Sequence, residues 1–390
     1  MRVFAWSLSA LGLFLLALPL SSFAGDFSAT LDDGIGYRSS NGAFSLNVGG
    51  RLHLDSAHFI EDKRLLDDRS MVRRARLALR ADLYQTWRLG VDYDLTDEAR
   101  RFSLLWLRFS GLEKGVIVMG QFQEPFGLEE LTSSNSAPFM ERSLANTLMP
   151  GTNVGIALQQ KGRRWGASGG LFWDEYIEDS DLLSSGDGRG VTLRVTAAPL
   201  KRKGAVLHLG VSGSYRQPDE RGRVRFRSRP ESALTDHRFV DTGSIRSVNG
   251  YLSHGLELAA AAGRFIAQGE YVATTLRREG GRDDETFTGG YLAASMVVSG
   301  KPRRYSAGSG LFRDVRRKNG QAWEVALRRS FIDLNGKNVQ GGEQANTTWG
   351  VNWYPHNNVR LLFNYIQVDS DAVAGDDDPD IVQLRLQLTL

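Results

Sequence analysis

The feature that most constrains this chain is an alternation of apolar and polar residues with a period of two, which recurs after residue 43. The segment 44–55 shows this alternation, and the last segment carries it to the carboxyl end. In that last segment the apolar positions are Val382, Leu384, Leu386, Leu388 and Leu390. Strict alternation predicts β-strands with one apolar and one polar face. An apolar face that is complete up to the final residue favours a strand that faces lipid.

About sixteen such strands are predicted. Their expected bounds are 44–55, 71–84, 87–95, 101–110, 115–122, 152–160, 166–173, 189–198, 204–216, 247–260, 263–276, 286–299, 321–332, 345–355, 358–369 and 380–390. Connections after odd-numbered strands are mostly long, such as 123–151 and 217–246, and those after even-numbered strands are mostly tight. The connections 300–320 and 96–100 depart from this rule. Alternating turns and loops with an even strand count indicate an all-β fold, a transmembrane antiparallel β-barrel, because a sheet in lipid must leave no unpaired edge.

The amino-terminal sequence predicts a signal peptide for export. Arg2 precedes an almost wholly apolar run, 3–20, and small residues lead to an expected cleavage after Ala24. A membrane-spanning helix is the alternative, but the apolar core is short. The expected organisation is a signal peptide at 1–24, an N-terminal periplasmic segment at 25–43 and the barrel at 44–390. This organisation predicts the outer membrane of a Gram-negative bacterium.

Composition and motifs argue against catalysis and metal binding. The chain has no cysteine, which excludes thiolate metal sites, thiol nucleophiles and disulfides. Residues 166–170 match Gly-x-Ser-x-Gly, but a nucleophile elbow requires a helix after the serine, and 171–173 continue a strand. His53 and His58 are five apart, on opposite faces of a strand. We therefore expect no enzyme, no cofactor and no metal.

Five arginines occupy alternate positions within one stretch of the chain. They are Arg221, Arg223, Arg225, Arg227 and Arg229, called here the arginine ladder. In an extended chain they share one face at a spacing of about 6.6 Å, and guanidinium groups suit the oxygens of phosphate or carboxylate. The alternative is a solvated face or a patch for nucleic acid or heparin. The net charge is only +3, so the arginine excess is local and a polycation is excluded.

A barrel of about sixteen strands has an interior wide enough for water. The polar faces of the predicted strands would then line a channel of mixed sign, in which position decides selectivity. The polar positions include Arg51, Arg74, Arg76, Arg80, Arg88, Arg108, Asp82, Asp92 and Asp94.

Residues 120–134, Gly-Gln-Phe-Gln-Glu-Pro-Phe-Gly-Leu-Glu-Glu-Leu-Thr-Ser-Ser, followed by Phe-Met-Glu-Arg-Ser at 139–143, resemble the constriction-loop motif of the phosphate-selective porin O and P family. The stretch 73–77 is similar to that family's second strand, and the Trp-Tyr-Pro turn at 353–355 with 359–365 is similar to its penultimate hairpin. The resemblance covers about residue 40 to the end. It implies a sixteen-stranded barrel, usually trimeric, whose third loop folds into the pore and constricts it.

The resemblance also implies site residues. The arginine ladder matches the ladder of the family's phosphate-binding members. The positions expected to form the constriction and bind the anion are Arg73, Arg74, Ser133, Ser134 and Arg142. Other pore-lining positions are Arg51, Arg76, Arg80 and Glu130. Glu130 stands where the family pattern has lysine, and an acidic group in a narrow passage opposes a positive field.

The function expected from the sequence is passive diffusion of anions, phosphate, polyphosphate or similar oxyanions, through an outer-membrane porin. The alternative is a general or organic-acid-selective porin with little phosphate preference, whose arginines bind lipopolysaccharide phosphates outside the pore. Expected partners are inorganic anions, membrane lipid and lipopolysaccharide, and two further copies of the chain in a homotrimer. We expect no nucleic acid partner.

Overall fold

The structure is a computed structural model that describes residues 25–30, 34–60, 63, 66–97, 101–173, 182–184, 188–218, 222–317, 320–371 and 378–390. The predicted signal peptide 1–24 and the first ladder residue, Arg221, lie outside the described residues. Among the described residues, no helix is long and apolar enough to cross a membrane.

Sixteen long strands form the body of the protein. They are β3 (Phe44–Ile60), β4 (Arg69–Leu83), β5 (Trp87–Asp94), β6 (Phe102–Phe109), β7 (Val116–Gln123), β8 (Thr152–Lys161), β9 (Trp165–Trp173), β11 (Arg189–Arg202), β12 (Ala205–Gln217), β15 (Val248–Ala262), β16 (Phe265–Arg278), β17 (Glu285–Ser299), β20 (Ala322–Asn335), β21 (Gln340–His356), β22 (Val359–Asp371) and β23 (Asp380–Thr389). Each pairs antiparallel with the next in chain order. The predicted number of strands is confirmed.

The last strand closes the barrel on the first. β23 pairs with β3 over ten residue pairs, from Asp380 opposite Ile60 to Thr389 opposite Arg51. Closure leaves every barrel strand with a partner on both sides, as a sheet in hydrocarbon requires. The alternation at the carboxyl end, up to Leu390, therefore belongs to the strand that seals the wall.

Side chains alternate between lipid and lumen as the period of two requires. On β20, Trp323, Val325 and Leu327 are exposed on the outer face, whereas Glu324 and Arg328 on the inner face are almost fully buried. The outer face is apolar because it meets lipid. Polar inner residues are buried because other segments of the chain fill part of the lumen.

Two short strands precede the barrel. β1 (Gly25–Thr30) pairs with β2 (Gly34–Ser39), and β2 pairs with β3 from Ile35 opposite Val48 to Arg38 opposite Ser45. β1 and β2 thus extend the sheet beside the beginning of β3, at the end of the barrel that carries the short turns.

The third long connection, residues 124–151 and here loop 3, folds into the lumen. It contains a short helix α1 (Leu128–Leu131) and a 3-10 helix (Leu144–Leu148). Phe126 and Leu148 pack in one apolar cluster with Leu276 and Phe287, which lie on the inner faces of β16 and β17. The expectation that the third loop enters the pore is confirmed.

A second insert enters from the opposite end of the barrel. Residues 300–317 carry the hairpin β18 (Tyr305–Ser306) and β19 (Leu311–Phe312). Arg303 forms two hydrogen bonds with the Glu324 carboxylate, at 2.7 and 2.8 Å, and Phe312 packs against Leu128 of loop 3. This connection is long where a tight turn was expected because it reaches into the lumen.

The fifth long connection supplies a third insert, called here loop 5. Its described residues, 222–247, include β13 (Val224–Ser228) and β14 (Val240–Asp241), which pair with each other. β13 also pairs with β10 (Leu182–Ser184) of the preceding long connection.

Candidate functional site: a constriction between two cavities

Two cavities meet inside the barrel. One, of about 330 Å³, lies toward the long loops and includes Arg73 and Arg229 in its lining. The other, of about 540 Å³, extends toward the short turns and reaches Leu390. Four residues line both cavities and so mark their junction: Arg74, Ser134, Arg142 and Thr152. Three of these four are positions at which the sequence predicts the constriction.

A bulge in β4 lets two consecutive arginines face the lumen. His53 is opposite Arg74 and Leu54 is opposite Val72, so Arg73 is an extra residue on its strand. Without the bulge, neighbours on a strand point to opposite faces. The bulge explains how the Arg73–Arg74 pair serves one site.

Glu141 of loop 3 lies against a group of arginines. Nε and Nη2 of Arg73 donate to its two carboxylate oxygens at 3.0 and 3.1 Å, and Nη2 of Arg385 donates at 2.8 Å. Burial alone would raise the pKa of Glu141, but Arg73, Arg74 and Arg385 outweigh it and hold the pKa well below its usual range. Glu141 is therefore ionised and offsets the charge of Arg73.

Arg142 is paired in the same way with Glu130. Its Nη1 lies 2.9 Å from a carboxylate oxygen of Glu130, and its Nη2 donates to the backbone oxygen of the same residue at 2.6 Å. Burial raises the pKa of Glu130, although Arg142 opposes the shift. Much of the positive charge that Arg142 brings to the junction is thus compensated.

Arg74 differs from both neighbours. Among the described residues its one ion pair is a long contact of 4.0 Å between Nη2 and Glu141, and its buried Nη1 has no hydrogen-bond partner. Ser134, at the same junction, accepts a 3.5 Å hydrogen bond from Arg51. Ser133 lines the cavity on the turn side. The junction therefore holds one arginine with an unused donor.

The predicted pore-lining arginines on the turn side are also paired. Arg80 donates to Asp92 at 2.5 Å and Arg51 lies 3.5 Å from the same carboxylate, while Arg76 binds Asp94. The cavity on this side is consequently of mixed sign, as the sequence predicts.

One face of the arginine ladder is anchored to the barrel wall. Val224 and Phe226 of β13 are buried, and the Phe226 ring packs edge-on against Tyr251 and Phe287 of the wall. Because side chains alternate along a strand, the arginines between them are turned away from the wall.

The described ladder residues differ in their surroundings. Arg223 is exposed, whereas Arg225 forms two hydrogen bonds with Asp241 and Arg229 lies 3.2 Å from Asp236. Of the described ladder residues, Arg229 alone lines the cavity that also contains Arg73 and Arg74. The end of the ladder thus meets the predicted constriction residues in one space.

Residues 46–390 match the model of the family described as phosphate-selective porin O and P. The chain belongs to this family. Porin O of Pseudomonas aeruginosa is 27% identical in an alignment that is 425 residues long with its gaps. The alignment covers 95% of this chain and 96% of that protein. The protein described here is accordingly an outer-membrane porin, and the prediction of its family and location is confirmed.

Solved structures with the same fold have little sequence in common with this porin. The outer membrane channel DcaP of Acinetobacter baumannii has a TM-score of 0.58 at 10% identity, covering 91% of this chain and 99% of that chain. In vitro folded OmpT of Vibrio cholerae, in a trimer form, has a TM-score of 0.57 at 10% identity, covering 89% and 100%. These likenesses show the barrel fold.

Sequence reasoning missed two residues that shape the site of this porin. The sequence indicates Glu141 only as part of the loop motif and assigns no role to Arg385 of the last strand. Arg385 bonds both Asp55 and Glu141 at 2.7 to 2.8 Å and joins the wall to loop 3. The sequence signal for Arg385 is an arginine on the polar face of a predicted strand with no acid beside it, which indicates a partner on another strand or loop.

Proposed function

We propose that this porin lets anions diffuse passively across the outer membrane and that it favours oxyanions such as phosphate or polyphosphate. The observation that carries the proposal is the position of Arg74 at the junction of the two cavities, because its one ion pair among the described residues is a long contact of 4.0 Å. An anion in transit would bind this weakly compensated guanidinium. At an effective dielectric constant of about 20, the attraction between unit charges about 4 Å apart is about 4 kcal/mol, and salt in the lumen reduces it.

The ladder supports the same proposal on the loop side. Arg223, Arg225, Arg227 and Arg229 would offer a series of weak anion sites leading to the junction. Positive groups around a narrow, low-dielectric cleft concentrate anions by focusing the field. Release of the anion requires that no single site bind it too tightly. The pairing of Arg225 with Asp241 lowers the affinity of that site for an anion.

A general or organic-acid porin is the second candidate. Glu130 and Glu141 offset Arg142 and Arg73, so the junction carries less positive charge than its arginines suggest. With a weaker field, charge alone would discriminate less between phosphate and other anions.

Assembly and processing complete the proposal. Cleavage after Ala24 would leave a mature chain that assembles as a homotrimer, a state supported by the family resemblance and by the solved trimer form of OmpT. Lipid would contact the outer faces of the strands, and lipopolysaccharide would contact the loops.

The protein would be a channel and not an enzyme. β9 runs through 166–170 as one strand, without the turn that a nucleophile elbow needs.

Planar-bilayer recordings test the proposal. Under a potassium chloride gradient we expect a reversal potential that reports anion preference, and phosphate should block the chloride current. The substitution Arg74→Gln removes the unpaired donor and should weaken that block about tenfold, which corresponds to about 1.4 kcal/mol. Arg163→Gln, on an exposed turn at the barrel end, is the matched control and should leave the block unchanged. A cation-selective wild type, or equal block in the two variants, would contradict the proposal.

A further inference from the structure

We propose that the extracellular end of the porin carries a second binding site for phosphoryl groups, separate from the channel. The site is a cup formed by Arg246, Arg278 and Arg282, called here the outer arginine cup. These residues line neither of the two lumen cavities.

Three connections on the loop side build the cup. Arg246 lies near the end of loop 5, Arg278 ends β16 and Arg282 follows in the next connection. Thr242, Ser244 and Asn338 add polar groups to the lining of a cavity of about 340 Å³. Among the described residues that line it, none carries a carboxylate. Long loops face outward in outer-membrane barrels, so the cup opens to the exterior of the cell.

Hydrogen bonds hold the side chains of two of the three arginines in place. Nη2 of Arg278 donates to the backbone oxygen of Arg246 at 3.3 Å, and Nη1 of Arg282 donates to the Ser247 hydroxyl at 3.1 Å. Two of the three guanidinium groups are therefore positioned before any ligand arrives, and that of Arg246 is exposed to solvent.

Two of the three positive charges of the cup have no carboxylate partner. Arg246 and Arg282 have no carboxylate within 4.0 Å in the described part of the chain. Among the nearby acids, Asp283 pairs with Lys337 at 3.2 Å, and Glu285 accepts hydrogen bonds from Arg278 and Asn338. Asp284 accepts a hydrogen bond of 3.2 Å from the backbone N–H of Arg278. Arg73 and Arg142 in the lumen, by contrast, each have a carboxylate partner.

Size, charge and donor geometry together select the ligand class. Two uncompensated guanidinium groups and nearby hydroxyls in a concave site fit a multiply charged oxyanion, since guanidinium binds phosphoryl oxygens through parallel hydrogen bonds. The cavity is large enough for one phosphoryl group or two linked ones. Free pyrophosphate and the phosphates of lipopolysaccharide share this chemistry.

Two binding measurements separate these sources, using the double variant Arg246→Gln/Arg282→Gln. In the first, calorimetry measures pyrophosphate binding to full-length protein refolded in detergent without lipopolysaccharide. In the second, the phosphorus of lipopolysaccharide that copurifies from outer membranes is measured. Arg278 is left unchanged because its pairing with Glu285 supports the fold.

If the cup binds a free oxyanion, the double variant should lose one class of pyrophosphate sites, weakening their affinity at least tenfold. If it binds lipopolysaccharide, the copurifying phosphorus should fall at least twofold. The variant Arg163→Gln/Arg202→Gln removes two exposed arginines at the other end of the barrel, one in a short turn and one at the end of β11, and should match wild type in both measurements. Binding and phosphorus content equal to wild type in the cup variant would overturn the proposal, provided that the variant's heat-modifiable gel shift shows a folded barrel.

Discussion

Two carboxylates of loop 3 set how much positive charge the constriction presents to an ion. Glu141 compensates Arg73 and contacts Arg385, and Glu130 compensates Arg142. Arg74 remains with a spare donor. Selectivity at this site therefore depends on the small net charge that remains when nearby positive and negative groups offset each other. A single substitution can change that net charge.

Removing the Glu130 charge should increase anion preference. In Glu130→Gln the Arg142 guanidinium loses its anionic partner at 2.9 Å, and the local field becomes more positive. We expect a severalfold rise in the chloride-to-potassium permeability ratio and a tighter phosphate block, both measured in planar bilayers. Glu113→Gln, an exposed acid outside the barrel strands, is the matched control. An unchanged permeability ratio would show that Glu130 does not influence passing ions.

The same residue makes selectivity depend on pH in a defined direction. Burial raises the pKa of Glu130 despite Arg142, Gln123 and Asn146, which favour the ionised form, and nearby Glu129 raises it further. Protonation removes a negative charge, so wild-type anion preference should increase as the pH falls through this raised pKa. Glu130→Gln should lack that step.

Individual residues of the site were predictable only in part. The sequence placed Arg74, Ser134 and Arg142 among the constriction residues because of the family resemblance. It could not show that Arg73 lies on a bulge, since a bulge depends on which residues pair across two strands. Nor could it pair Arg385 with Asp55, because contacts between residues so distant in sequence exist only after closure.

At the scale of elements, loop 3 depends on the wall for its position. A helix of four residues is not stable alone. The backbone N–H groups of Leu128 and Glu129 donate to the Glu270 carboxylate at 2.6 and 2.7 Å, and Tyr291 donates to the same group at 2.7 Å. One carboxylate on β16 thus fixes the start of α1.

Glu270→Ala should loosen loop 3. Two buried N–H groups would lose their acceptor, at a cost of about 1–3 kcal/mol each. We expect noisier single-channel currents and a lower unfolding temperature, measured by the heat-modifiable gel shift. Gln268→Ala removes an inward side chain of the same strand that bonds Tyr291 but not loop 3. Identical noise and stability in the two variants would exclude the anchoring role of Glu270.

The strands were predictable from the alternation, whereas the entry of residues 300–317 into the lumen was not, for a physical reason. Alternation predicts a strand with one apolar and one polar face, and it depends only on residues within that strand. The expected strands therefore match the sixteen observed. The residues 300–317 were recognised only as an unusually long turn. Their entry into the lumen depends on Arg303 reaching Glu324 and Phe312 reaching Leu128, and neither contact has a local sequence signal.

At the scale of the molecule, the protein is a rigid wall with a partly filled interior. Loop 3, loop 5 and residues 300–317 occupy much of the lumen and leave two cavities joined at Arg74. Buried ion pairs connect the inserts to the wall; Arg328 of β20, for example, binds Glu129 and Glu231 at 2.8 and 2.6 Å. Breaking one partner of such a buried pair is strongly destabilising, so the inserts are held firmly and the path for ions is defined.

The most direct test of this account is a crystal structure of the porin soaked in arsenate, with data collected at the arsenic absorption edge. Arsenate has the shape and charge of phosphate and can be located by its anomalous signal. We expect an anomalous peak at the junction of the two cavities, beside the guanidinium of Arg74. A barrel whose anomalous peaks all lie away from this junction would contradict the account.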